Sequence, residues 1–146
     1  MRNIIAVVLG AAVAFGLVTI SDAAAGRLFQ LPAAATPAID GAVTKADTVA
    51  MKAALESAIA NAPLSAVLMM VLGYGVAAFG GAFIARKIAM PTSTRPPLVV
   101  GMLVLAATVA NFTFLRHPTL MVVLGVLTPI PGAMLGARAA RVATPT

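Results

Sequence analysis

The chain has no cysteine and no tryptophan, one tyrosine and one histidine, and only four of its 146 residues are acidic. The missing cysteines exclude disulfides, thiolate nucleophiles and cysteine-ligated metal. The single histidine, His117, leaves any haem, pigment or metal site without a second imidazole, and none of the eight methionines forms a recognisable pair with it. No paired carboxylates, no nucleophile with a base and no metal triad stand out, so neither an enzyme nor a cofactor is expected.

Charge of either sign is scarce. Charged residues make up 10% of the chain and hydrophobic ones 61%, against about a quarter and a half in soluble domains. A soluble fold could not hide that much apolar surface. The net charge of +6 raises nucleic acid as a partner, but the ten basic residues are scattered and have no interleaved aromatics. Cations flanking membrane spans account for the excess more simply, leaving membrane lipid and other membrane subunits, or the chain itself, as the expected partners.

What the sequence does contain is long apolar runs. Pro63 to Ala85 carries no charge and is long enough to cross a bilayer as a helix. Within it Gly73, Ala77, Gly81 and Ala85 recur every fourth residue, so they share one helix face and leave a groove for another helix backbone. Ala6, Gly10 and Ala14 have the same spacing in the first apolar run, offering a surface that fits the groove.

That first run, Ile4 to Ile20, follows Arg2 and precedes SDAAAG, which also has the form of a signal peptide with an A-x-A site. It is longer than a usual signal core and is read as a first transmembrane helix continuing to about residue 29. Residues 31–62 form the one sizeable polar segment. Its first half is a proline-punctuated loop, and from Thr44, paired with Asp47 in the manner of a capping box, a short amphipathic helix places Met51, Leu55 and Ile59 on one face. Lys52 and Glu56 stand one turn apart on it.

After Arg86 and Lys87, Pro96 and Pro97 start a third span over 98–115, in which Asn111 is the one strongly polar side chain. Arg116, His117 and Pro118 form a tight reversal into a fourth span over 119–140. Pro129 and Pro131 should kink it, with Gly132, Gly136 and Ala140 giving another close-packing face. The expected architecture is therefore an all-α bundle of four transmembrane helices, spanning 4–29, 63–85, 98–115 and 119–140, with a short periplasmic amphipathic helix.

Cation placement orients it. With the N-terminus in the cytoplasm, Arg2, Arg86, Lys87, Arg95, Arg138 and Arg141 lie inside, against Arg27, Lys45, Lys52 and Arg116 outside, and all four acids fall outside. Both termini are then cytoplasmic. At the outer face Asp22, Arg116 and His117 form a candidate interfacial polar cluster, in which Asp22 is either a functional carboxylate or the partner of a structural ion pair or hydrogen bond. A path along Asp22, Asn111 and His117 would suit a small transporter or channel component. Glycine-rich faces with almost no soluble mass favour an accessory or structural subunit of a larger membrane complex.

The acid-containing first helix, the Gly-rich second helix ending in ARK, the VANFTFLRHP passage and the closing PGAMLGARAA together resemble a group of uncharacterised small four-span bacterial inner-membrane proteins. The resemblance implies a bacterial inner membrane and four helices, and carries no catalytic residue over.

Overall fold

A computed structural model of the chain describes residues 1–28, 47–89 and 93–142, which are helical with no strand among them. The helices are α1 (Arg2–Leu28), α2 (Thr48–Ala60), α3 (Leu64–Ile88), α4 (Arg95–Phe114), α5 (Thr119–Leu127) and α6 (Pro129–Val142). Four stretches are long and apolar enough to cross a membrane: Arg2–Ala25, Leu64–Ile88, Arg95–Phe114, and Thr119–Arg141, which joins α5 to α6.

Local chemistry sets the helix ends. Asp47 caps α2, its Oδ1 accepting the N–H groups of Val49 at 3.1 Å and Ala50 at 3.0 Å. The carboxylate that sequence spacing assigns to the third position of a capping box begun by Thr44 is thus itself the cap, because it satisfies two otherwise unpaired donors directly. Thr44 lies outside the described residues. α3 runs past Ala85 to carry Arg86 and Lys87 in its last turn, where cations complement the carbonyl end. Pro96 and Pro97 occupy the first turn of α4, where a missing N–H costs no helical bond.

The fourth span breaks at Thr128. Pro129 has no N–H to offer the carbonyl of Gly125; the Thr128 hydroxyl instead lies 3.5 Å from that oxygen and 3.5 Å from the carbonyl of Val71 on α3. Backbone bonds on either side, Thr128 to Leu124 at 3.1 Å and Gly132 to Thr128 at 3.0 Å, keep the two halves nearly continuous.

α3 is the central helix, packed against α1, α4 and α6. Within its span 44% of the most apolar window is buried inside the bundle, against 17% for α1, which leaves α1 the most outward-facing of the four. The core is sorted by size. Ala14, Ala78, Ala82, Ala85, Val100, Val104 and Ala133 form one cluster, and Val67, Val71, Tyr74 and Met121, backed by Phe112 and Leu124, form another. Small side chains let backbones approach; larger ones hold them apart.

Charge is sorted by end as well. Arg2 Nε donates to the Ile88 carbonyl at 2.6 Å, Asn3 Nδ2 to Ser93 Oγ at 3.4 Å, and Arg86 to the Ser93 carbonyl, which brings the start of α1, the end of α3 and the start of α4 together. Arg138 and Arg141 of α6 flank Thr94 and Pro97 at this same basic end. At the opposite end Glu56 Oε1 accepts the backbone N–H of Arg116 at 3.1 Å, tying α2 to the turn between α4 and α5. Lys52 Nζ is 3.9 Å from the same carboxylate oxygen.

Candidate functional site

The small-residue faces meet inside the bundle. A methyl group built on Gly81 would lie 2.5 Å from the Gly10 carbonyl oxygen and 2.7 Å from Ala14 Cβ, and one on Gly10 would lie 2.7 Å from the Gly81 carbonyl oxygen. Farther along the antiparallel pair, a Cβ on Gly73 would lie 2.7 Å from Ser21 Cβ. Ala77 and Ala85 are fully buried. On the other side of α3, Gly132 lies against the carbonyl of Gly75 and Gly136 against that of Phe79, with no room for a Cβ at either. Only glycine permits such contact between backbones, so α1 and α6 are held on opposite sides of α3 by absent side chains.

One described glycine has no such use. A Cβ on Gly16 would meet nothing within 4 Å. It lies on the outer surface of α1, where Ala12, Thr19 and Ala23 are also exposed, at offsets of four, three and seven residues, which place them on one helix face, flanked there by the exposed Leu9, Val13 and Ile20.

Toward the acidic end, where the larger core side chains sit, α1, α3 and α4 enclose a cavity of about 140 Å³ lined by Phe15, Val18, Asp22, Tyr74, Val104, Ala107, Thr108 and Asn111. Tyr74 is 6% exposed and its hydroxyl lies beside the Asn111 side chain. The Tyr74 ring meets Phe112 edge-on at 6.3 Å. Thr108 is buried and satisfied within its own helix, its hydroxyl donating to the Val104 carbonyl at 2.9 Å. Asp22 stands at the exposed side of the cavity.

This grouping differs from the cluster expected on sequence grounds. Asp22 shares its cavity with Tyr74 and Asn111, and among the described residues no ion pair joins it to Arg116 or His117. His117 instead packs edge-on against Phe112 at 4.8 Å while its Nδ1 lies 2.8 Å from the Leu115 carbonyl, so the ring closes the end of α4. Arg116 contributes its backbone N–H to Glu56. Tyr74 and Thr108 went unnoticed in the sequence because a lone tyrosine and a threonine in apolar helices carry no signal until the helices are rotated into place. Beneath the cavity the bundle is closed by the Ala and Val cluster, whose members are at most 2% exposed. Among the described residues no group of three His, Asp or Glu side chains gathers.

No family model matches the chain. No curated protein and no solved structure matches it either.

Proposed function

We propose that the chain is a non-enzymatic accessory or structural subunit of a larger membrane protein complex, resident in a bacterial inner membrane with both termini in the cytoplasm. The observation that carries this reading is Gly16. A glycine inside a helix is roughly 0.5–1 kcal/mol less favourable than alanine, and at eight other described glycines an added Cβ would come within 3.0 Å of a neighbour in the chain. Gly16 meets nothing within 4 Å, and on the least buried span it lies with Ala12, Thr19 and Ala23 in a shallow strip between the exposed Leu9, Val13 and Ile20. A small-residue strip on an outer face is the surface that another transmembrane helix packs against. The inward strips hold the subunit together; the outward one is its docking face.

Single-cysteine cross-linking tests this directly, since the chain has no cysteine of its own. Gly16→Cys should cross-link to a neighbouring subunit in intact membranes, whereas Ile4→Cys, 68% exposed but on another face, should not. Equal behaviour of the two would remove the docking face.

A second reading, a small transporter or channel component, is favoured by the cavity that gathers Asp22, Tyr74 and Asn111, since polar side chains inside spans often mark a pathway. His117 would contribute only from the turn. The apolar floor beneath the cavity weighs against a continuous path, which is why the subunit reading ranks first.

A further inference from the structure

At the basic end a groove of about 360 Å³ runs between the start of α4 and the end of α6. Its walls are apolar, formed by Pro97, Leu98, Ala133 and Ala137, and Arg138 and Arg141 stand at its mouth, one turn apart on α6. We propose that this groove is a binding site for one anionic phospholipid, with the phosphate held by the two arginines and the start of an acyl chain lying between α4 and α6.

Charge complementarity carries the argument. Arg138 and Arg141 are exposed, and neither has a hydrogen bond or ion pair among the described residues. The described acids cannot neutralise them, because Asp22 and Glu56 lie toward the other end of the bundle and Asp47 caps the helix that Glu56 ties there. The start of α4 supplies little in their place, since Pro96 and Pro97 remove two of the N–H groups that a helix N-terminus would offer an anion. Depth agrees with charge: Arg141 is the last residue of the fourth span and Arg138 lies one turn inside it, close to the level of lipid phosphates. Basic pockets between transmembrane helices select anionic headgroups in this way. A second copy of the chain would bring the same cations against this face and is disfavoured. A free phosphate would engage the arginines and leave the apolar walls bare.

The site is independent of the subunit reading and is tested apart from it. The full chain, purified and delipidated in mild detergent, is titrated with phosphatidylglycerol or phosphatidylcholine, and retained lipid is counted by native mass spectrometry. The wild type should retain one phosphatidylglycerol in preference to phosphatidylcholine. Arg138→Gln with Arg141→Gln should weaken that retention about 25-fold, each interfacial cation contributing about fivefold. Ala137→Phe, which fills the groove and leaves the charges, should also lose the lipid, while Arg27→Gln with Arg116→Gln, at the far end, should keep it. Undiminished retention in the double glutamine variant, an equal loss in the far-end pair, or displacement of the lipid by inorganic phosphate at similar concentration would each overturn the proposal.

Discussion

Gly10 and Gly81 face each other so closely that each occupies the space where the other would carry a side chain: a Cβ on either would come within 2.7 Å of the partner's carbonyl oxygen. The contact is between backbones and cannot be relieved by a rotamer change. Gly81→Leu should therefore separate α1 from α3 and destabilise the bundle by more than the 1–3 kcal/mol typical of overpacking. Unfolding in mixed micelles measures it, and a wild-type midpoint would show that the two helices do not meet here.

On the opposite side of α3, Gly136 abuts the carbonyl of Phe79. A single methyl suffices to test this contact. Gly136→Ala should cost about 1–3 kcal/mol by overpacking, although alanine is the better helix former. Gly16→Ala, with open space around it, should be neutral or slightly stabilising in the isolated subunit.

The Tyr74 hydroxyl of α3 lies beside the Asn111 side chain of α4 inside the cavity. Tyr74→Phe keeps the ring against Phe112 and removes only the hydroxyl, so a loss of about 0.6 kcal/mol is expected, the average found for polar contacts between membrane helices. A loss several times larger would mean that the hydroxyl anchors more than this one partner.

Cysteine placement distinguishes a closed cavity from a path. Ala107→Cys, on the cavity wall, should react with a membrane-impermeant maleimide added from one side of the membrane only. Ala82→Cys, in the fully buried floor, should stay unreacted until the protein is denatured. Labelling of both would favour the transporter reading.

Much of this architecture was legible before any coordinates. Charge-free runs announced the helices, and Pro129 announced the break in the fourth, because the peptide chemistry is local. Four-residue spacing marked Gly73, Gly81, Gly132 and Gly136 as packing positions. The site was harder to read. Asp22 stands near the same end of the bundle as Arg116 and His117, which made an interfacial cluster the natural expectation. Which neighbours it meets depends on how α1 is rotated about its axis, and that rotation follows from the fit of Gly10 and Ala14 against Gly81. Asp22 is thereby brought to Tyr74 and Asn111. The same rotation turns Gly16 outward, a distinction that spacing alone could not make between it and Gly10.

The central claim is that the outer face of α1 docks to a partner, and native mass after mild-detergent purification from the host membrane tests it most directly. The tagged wild type should run as a stoichiometric complex with larger subunits, and Gly16→Leu should run as a folded, separated chain with unchanged helix content. A wild type that runs alone, or a Gly16→Leu variant that keeps every companion, would contradict the account.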